Sequence, residues 1–305
     1  MTDVRVHTVA VMGTVVTITV VGLDRSGDEA ERDAAIARAV GWFEHVESVC
    51  SRFDPDSELR RLCARVAEPV AASSLLFEAI TFAIAVAAET DGAFDPTVGA
   101  SLESLGFDRD HRTGRATPSG IPAATGARYT DVLLNPEQST ITLARPLVLD
   151  LGAVAKGLAI DLAARALAPF VNFAIDAGGD LYLAGRNGDD MPWSVGIRHP
   201  RDEGTVIETL RVSDTAVCTS GDYERWSDTT RGAHHIIDAR AGVTATAAAS
   251  VTVLAPSAMV ADALATAAFV LGPAPGIALL ERHGVDGVML TPSLDRFATA
   301  GMRDA

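Results

Sequence analysis

Apolar residues recur along the chain with two spacings, and each spacing predicts one type of element. Over residues 28–50 they recur at helical spacing, as at Ile36, Val40 and Phe43, which predicts a helix. Residues 9–21 are rich in valine, threonine and isoleucine, which predicts one strand. Further helices are predicted after a cap at Asp56 or Ser57, and over 73–90, 152–167, the segment containing 261–272, and 275–282. Further strands are predicted over 130–134, 139–143, 147–151, 172–176, 180–184, 192–198, 206–212, 214–218 and 286–290.

The order of these elements predicts the fold class. Strands fall in runs between helices instead of alternating with them, which favours α+β over a doubly wound parallel sheet. We therefore expect mixed or antiparallel sheets with flanking helices. Residues 108–128 are rich in glycine, proline and charge and predict a surface loop, and 234–254 predict a hairpin-like region. A length of 305 residues is enough for one large domain or two ordinary ones.

The charge balance limits the possible ligands. The chain has 25 basic and 40 acidic residues and a formal charge of -15. Such a surface repels phosphate backbones, so we expect no nucleic-acid partner. An anionic small molecule would need a local cation, a helix N-terminus or a metal.

The cysteines and the N-terminal residues bear on the compartment. The three cysteines, Cys50, Cys63 and Cys218, form neither a CxxC pair nor a Cys/His cluster, so neither a disulfide framework nor a zinc site is indicated. The first residues lack the basic and continuous apolar regions of a signal peptide. Apolar runs are too short and interrupted to span a bilayer. We expect a cytoplasmic protein.

The segment 147–161, "LVLDLGAVAKGLAID", is the first candidate site. A predicted strand ends at Asp150, turns at Gly152 and enters a helix that carries Lys156. Helix N-termini attract anions, and Lys156 would neutralise a phosphate. The pattern of a P-loop is absent. By itself the segment is explained more often by a solvated lysine and a capping aspartate.

Three other segments contain chemically versatile residues with simple structural explanations. In residues 90–100, "TDGAFDPTVGA", the "TDG" ends the preceding helix and Asp95–Pro96 predict a turn, so a loop explains the segment. In 173–188, the pair Gly178–Gly179 permits a tight turn, and Asp176 and Asp180 would satisfy turn N–H groups. Ser220 is not in a GxSxG elbow, so no hydrolase triad is indicated.

Two adjacent histidines, His234 and His235, lie in a predicted strand. Their side chains would point to opposite faces, so they would not bind one metal together. One of them could act as an acid or base, because histidine titrates near neutrality. For either histidine alone a structural role is the more common one.

The segment 261–272, "ADALATAAFVLG", is an apolar helix that carries Asp262 and, one turn later, Thr266. Ser257 is the better N-cap, so Asp262 lies inside the helix. The Asp262 carboxylate must either face solvent or, if it is buried, be hydrogen-bonded or paired with a cation. Oxygen ligands on one face suit Mg²⁺ or Ca²⁺.

Taken together, the segments resemble the ApbE family of flavin transferases, with motifs in the family's order. The motifs are "MGT" at 12–14, "SRFDPDSEL" at 51–59, "TDGAFDPTVGA" at 90–100, "LDLGAVAKGLAID" at 149–161, "DAGGDLYLAG" at 176–185, "TSGDYER" at 219–225, "HHIIDARAG" at 234–242 and "ADALATA" at 261–267. The resemblance implies an ApbE-like, T-fold-like α+β domain over 1–305, either undivided or in two subdomains that enclose an FAD site.

The resemblance also implies an activity and its residues. The expected enzyme is an FAD:protein FMN transferase, which uses Mg²⁺ to cleave FAD, attaches FMN to a threonine of an acceptor flavoprotein and releases AMP. Its implied FAD contacts are Met12, Phe53, Ala93, Phe94, Asp95, Asp150, Lys156 and Ile236. Its implied Mg²⁺ ligands are Asp262, Thr266 and the Ala153 carbonyl. His235 is the candidate base, with Asp95 behind it.

The sequence departs from the family pattern at a few points, and two other functions use the same residues. Phe53 stands where tyrosine is common, and "DARAG" replaces "DPRTG". Many members are exported lipoproteins, whereas this chain has no lipobox cysteine near its start. An FAD pyrophosphatase, in which water replaces the threonine, and a non-catalytic FAD-binding protein are the alternatives.

Overall fold

A computed structural model describes residues 3–22, 28–110 and 113–303. Its helices are α1 Glu29–Cys50, α2 Glu58–Cys63, α3 Ser74–Glu89, α4 Gly99–Ser104, α5 Gly152–Ala166, α6 Ala258–Leu271 and α7 Pro273–Arg282. Short polar side chains cap several of them, because the first backbone N–H groups of a helix need acceptors. Ser57 accepts a hydrogen bond from the Arg60 N–H, and Ser257 accepts one from the Val260 N–H. The predicted caps at these two serines are confirmed.

The strands form one large sheet and three small ones. They are β1 Val4–Val11, β2 Thr14–Val21, β3 Val70–Ala71, β4 Val132–Asn135, β5 Thr140–Leu143, β6 Asn172–Ala177, β7 Asp180–Ala184, β8 Trp193–Arg198, β9 Val206–Val212, β10 Thr215–Gly221, β11 Ile237–Asp238, β12 Val243–Thr244, β13 Ser250–Ala255, β14 Asp286–Leu290 and β15 Arg296–Ala298. The eight-stranded sheet has the order β1-β2-β6-β7-β10-β13-β14-β15, and every neighbouring pair in it is antiparallel. The predicted α+β class with antiparallel sheets and flanking helices is confirmed.

The large sheet is covered on both faces, but by different elements. One face, with Ile18, Ile175 and Val251, belongs to the main core together with residues of α1, α5 and α6. The other face, with Leu183 and Val217, packs with side chains of the β8–β9 hairpin. The alternation of β10 explains this division, because successive side chains of a strand point to opposite faces.

Two predicted strands are wrong. Residues 9–21 belong to a hairpin, β1–β2, that turns at Met12 and Gly13, both with positive φ values of 53° and 75°. The valines and threonines on either side mask this turn, and only the glycine indicates it. Residues 147–151 form no strand: they are a buried extended segment with one parallel bridge, from Val148 to Val98. A short apolar run indicates burial but does not by itself determine pairing.

The packing of α5 on α6 depends on a glycine. A Cβ atom on Gly157 would lie 2.5 Å from the Ala258 carbonyl oxygen and 2.5 Å from the Met259 Cα. These are backbone atoms, so a larger side chain would require the helices to separate. Gly157 therefore fixes how closely the first turns of the two helices approach each other.

Within the three described ranges, no helix is both long and apolar enough to cross a bilayer.

Gly157→Ala is expected to lower the free energy of unfolding by about 1–3 kcal/mol, the usual effect of overpacking. The matched control is Gly41→Ala in α1, where no atom lies within 4 Å of the added Cβ. Because alanine favours a helix more than glycine does, the control should be neutral or stabilising. Urea denaturation of both variants measures the difference. Equal stability of the two variants would contradict the tight contact between α5 and α6.

Candidate active site

A lysine and two aspartates from three separate segments form the centre of the candidate site. The Lys156 ammonium, on α5, pairs with the Asp180 carboxylate at the start of β7. Asp180 is buried, and its Oδ1 accepts a hydrogen bond of 3.0 Å from the Thr219 N–H on β10. The expectation that Asp180 caps its own turn is therefore wrong, whereas Asp176 does so, accepting from the Gly179 N–H at 2.9 Å. Lys156 already has an anionic partner in the chain.

Asp262 is the carboxylate in this group with an unsatisfied oxygen. It lies in the interior of α6 and is only 6% exposed, so it is neither an N-cap nor solvent-facing. Its Oδ2 has no hydrogen-bond partner among the described residues. Burial, and then the negative charge of Asp180, raise the pKa of Asp262 to about 7, although Lys156 and Arg225 act to lower it. A buried oxygen left without a partner indicates a missing ligand or proton.

Thr266 and Ser220 bring two hydroxyl groups to the same region. Thr266 lies one turn after Asp262 on α6, and its Oγ1 is 3.0 Å from the Ser220 Oγ on β10. Ser220 is buried. Ser220 therefore orients the Thr266 hydroxyl. The pair adds two oxygen atoms beside the helix face that carries Asp262.

These residues fit a hard cation such as Mg²⁺. The fit is shown by the unsatisfied, buried Asp262 Oδ2 and by the hydroxyl of Thr266 on the same helix face. Ala153, in the first turn of α5, is half-buried. A hydrogen bond from the Gly157 N–H to Asp262 joins α5 to this carboxylate. In the part of the chain that is described, no group of three or more His, Cys, Asp or Glu could hold a metal. A metal would therefore need a mixed set of carboxylate, hydroxyl and carbonyl oxygens.

A second buried ion pair fixes the segment that leads into α5. Arg52 is buried, and its Nε donates to the Asp150 Oδ2 at 2.7 Å, while its Nη2 donates to the Phe107 carbonyl at 2.8 Å. The Arg52 guanidinium lies 4.3 Å from the centre of the Phe53 ring. Burial acts to raise the pKa of Asp150, but the ion pair and hydrogen bonds with Arg52 outweigh it and leave that pKa below its usual range. The other oxygen of Asp150 accepts from the Gly152 N–H at 2.8 Å. Asp150 is not the N-cap, however: Leu151 occupies that position and α5 has no side-chain capping bond in the described ranges, so the capping interpretation is wrong.

Both carboxylate oxygens of Asp95 accept hydrogen bonds, from its own loop and from the segment at Tyr129. Its Oδ1 accepts from the Thr97 N–H and hydroxyl at 2.8 and 2.7 Å, and its Oδ2 accepts from the Tyr129 N–H at 3.0 Å. Burial raises the pKa of Asp95 against these bonds. None of these described bonds reaches His235, so the assisting role predicted for Asp95 stays a prediction. Ala93 and Phe94, the adjacent predicted FAD contacts, are buried.

The two histidines differ in their surroundings, and they do not lie in a regular strand as expected. His234 makes one isolated bridge to Trp226, and it is buried. Its Nε2 bonds to the Ala245 carbonyl at 2.8 Å, and its Nδ1 accepts from the Ile236 N–H at 3.3 Å. Both ring nitrogens of His234 are therefore committed to the backbone.

His235 is half-buried, and its Nδ1, itself buried, has no hydrogen-bond partner in the three described ranges. Its ring lies 6.5 Å from the Phe107 ring, and it hydrogen-bonds to the Arg225 backbone. Burial, followed by the positive charge of Arg225 and the neighbouring His234, lowers the pKa of His235 to about 3. The ring is therefore neutral near pH 7, and the tautomer that donates to Arg225 leaves a lone pair on Nδ1.

The turns that precede this centre also meet. A Cβ on Gly178 would lie 2.0 Å from the Thr14 Oγ1, so the β1–β2 turn with Met12 contacts the β6–β7 turn that leads to Asp180. Ile236, the last of the predicted FAD contacts, is buried next to the histidines.

Four residues of the site escaped the interpretation of the sequence. Arg52, Asp180 and Ser220 are buried polar residues whose partners are distant in the chain, and Arg225 is an exposed cation. The charge of Arg225 lowers the pKa of Asp150, His235 and Asp262 alike. Asp180, Ser220 and Arg225 lie in the glycine-containing motifs "DAGGDLYLAG" and "TSGDYER". Membership of these motifs was the sequence feature that could have identified them as site residues.

Comparisons with known proteins identify the family of the chain. Residues 12–289 match the sequence model of the ApbE family. An FAD:protein FMN transferase from Treponema pallidum is 35% identical over 300 residues, which cover 90% of this chain and 82% of that protein. One from Vibrio cholerae is 33% identical over 272 residues, which cover 84% and 78%.

Solved structures agree as well. The ApbE protein of Thermotoga maritima has a TM-score of 0.84 at 28% identity, with 99% of this chain and 98% of that chain covered. The flavin transferase ApbE from Vibrio cholerae has a TM-score of 0.84 at 27% identity, with 100% and 99% covered. With a family match over most of its length and the same fold, the chain belongs to the ApbE family.

Proposed function

We propose that this protein is an Mg²⁺-dependent FAD:protein FMN transferase, which attaches FMN through a phosphoester bond to a threonine of an acceptor flavoprotein and releases AMP. The observation that carries the proposal is the unsatisfied Oδ2 of Asp262, buried beside Asp180 and Lys156. The names of the relatives from Treponema pallidum and Vibrio cholerae support the reaction. We treat residues 1–305 as one domain that contains the whole site.

The charges of the buried centre favour a divalent cation. Four carboxylates, those of Asp150, Asp180, Asp262 and Glu103, face three cations, Lys156, Arg52 and the exposed Arg225. Lys156 and Arg52 are each already paired with a carboxylate. An FAD pyrophosphate added to this centre alone would meet net negative charge. A bound cation removes that repulsion, which explains how so acidic a chain accepts an anionic substrate.

The residues that would hold Mg²⁺ are Asp262, Thr266 and the carbonyl of Ala153. Mg²⁺ supplies polarisation of the pyrophosphate oxygens and offsets the charge of the departing AMP. Ser220 acts through Thr266, because its hydroxyl lies 3.0 Å from that of Thr266 and holds its orientation. The N-terminus of α5 adds backbone N–H groups that favour an anion.

The transfer step needs a base, and we assign that role to His235. The threonine oxygen of the acceptor forms a bond to the FMN phosphorus, the bridging P–O bond to AMP breaks, and AMP leaves with the bonding electrons. The proton of the threonine goes to the unpartnered Nδ1 of His235. The remaining FAD contacts are assigned to Met12, Phe53, Ala93, Phe94, Asp95, Asp150, Lys156 and Ile236.

Incubation with FAD, Mg²⁺ and a purified acceptor flavoprotein domain tests the function. We expect flavin fluorescence on the acceptor band of a denaturing gel and AMP in solution. Free FMN and AMP without a labelled acceptor would instead identify an FAD pyrophosphatase. Intact FAD would identify a binding protein and contradict catalysis.

His235→Phe is expected to lower the rate constant of transfer by about 10²–10⁴-fold, because it removes the base. The control is His7→Phe, at an exposed position of β1, which should transfer FMN at the unchanged rate. Steady-state kinetics at saturating FAD measures both. Full activity of His235→Phe would eliminate it as the base.

The same variant is expected to change the acid dependence of stability. The pKa of His235, lowered to about 3 in the folded protein, is about 6.5 in an unfolded chain. As the pH falls through this window, the unfolded chain takes up a proton that the folded protein, with Arg225, His234 and Lys156 around the ring, does not. Wild type should therefore lose more thermal stability between pH 6.5 and pH 4 than His235→Phe does. A parallel loss would contradict a neutral, buried His235.

A further inference from the structure

One exposed aromatic side chain lies directly beside the histidines. Trp226 is 53% exposed, although its segment pairs with the segment of the candidate base. It forms an isolated antiparallel bridge with His234, and the two rings meet edge to face at 6.1 Å. The other side of the His234 ring contacts the buried Phe269, with ring centres 5.7 Å apart. Trp226 is thus the outermost of three rings in edge-to-face contact, and the innermost ring, that of Phe269, lies in the core.

The loop that carries Trp226 is held firmly in place. The Ser227 N–H donates to the Ala233 carbonyl at 2.8 Å, and the Thr230 N–H donates to the Ser227 Oγ at 2.8 Å. The hydroxyls of Ser227 and Thr229 both donate to the Leu105 carbonyl, beyond α4. Thr229 also packs against Gly106, where a Cβ would lie 2.1 Å from its Oγ1. The exposed indole is therefore positioned before any partner arrives, which reduces the entropy lost on binding.

A second exposed apolar side chain lies on the other side of the histidines. Val243 is 57% exposed on β12. Its neighbour Thr244 donates to the His234 carbonyl at 3.5 Å, and Ala245 bonds to the His234 ring at 2.8 Å. The segments that carry Trp226 and Val243 thus both bond to His234, the residue next to His235.

We propose that Trp226 and Val243 form the surface on which the acceptor flavoprotein docks, with apolar side chains of the acceptor lying against the indole. The proposal rests on the proposed function. The acceptor hydroxyl must approach the half-buried side chain of His235, so the protein that carries it must cover the surface next to the His234–His235 segment. A second copy of this chain is the weaker candidate, because it would block that access. Trp is also the residue type that most often contributes strongly to binding at protein interfaces.

The test measures binding separately from catalysis. The probe is a purified FMN-accepting flavoprotein domain whose acceptor threonine is replaced by valine, so that no transfer occurs. Trp226→Ala should weaken its binding by about thirtyfold, the effect of losing an interface residue worth about 2 kcal/mol. Trp226→Phe should retain most of the affinity. Phe297→Ala is the control, since Phe297 is 40% exposed on β15 and belongs to no predicted site.

A kinetic measurement with the reactive acceptor accompanies the binding test. In Trp226→Ala we expect a raised KM for the acceptor, with kcat at saturating acceptor and the affinity for FAD close to those of wild type. An unchanged affinity for the acceptor, weakened FAD binding instead, or no binding of the probe to wild type would each overturn the docking surface. Trp226-dependent binding without any FMN transfer by wild type would support the surface and contradict the proposed function.

Discussion

The close contact between α5 and α6 is the constraint on which the candidate site depends. Gly157 lets the first turns of the two helices approach to a distance that no side chain would permit. That approach brings the α5 segment with Lys156 against the face of α6 that carries Asp262, away from solvent. A carboxylate is expensive to bury, so its unsatisfied oxygen is a property that the fold maintains at a cost in stability.

Around this contact, paired charges hold the other segments in place. Lys156 binds Asp180 across to the large sheet, and Arg52 binds Asp150 at the entrance to α5. These two cations are already neutralised, and Arg225 and Glu103 add one further charge of each sign, so the unpaired carboxylate of Asp262 favours a further cation over a free anion. This acidic protein therefore binds a pyrophosphate only when a metal ion accompanies the pyrophosphate. The proposed base, His235, stays neutral because burial and the charge of Arg225 disfavour its protonated form.

Features that depend on neighbouring residues, such as helix caps, could be predicted from the sequence. Features that depend on contacts between residues far apart in the chain could not. The helix caps at Ser57 and Ser257 and the α+β class follow from short-range pattern. The turn at Met12 and Gly13 was hidden in a continuous β-forming run. The bond between Arg52 and Asp150 joins positions 98 apart, and Asp180 looks like a turn residue until β10 and Lys156 are placed next to it. For Asp262 and Thr266, spacing only permitted a metal; burial and the orphan oxygen strengthen that hypothesis.

The most direct test of the central claim is the binding of Mn²⁺, as a paramagnetic substitute for Mg²⁺, measured by electron paramagnetic resonance in the presence of FAD. We expect wild type to bind Mn²⁺ at a site from which Mg²⁺ displaces it, and Asp262→Asn to lose that site while remaining folded. Asp176→Asn, which alters an exposed carboxylate that accepts from the Gly179 N–H in the β6–β7 turn, should keep it. Equal Mn²⁺ binding by wild type and Asp262→Asn would contradict the assignment of the buried carboxylate to a metal.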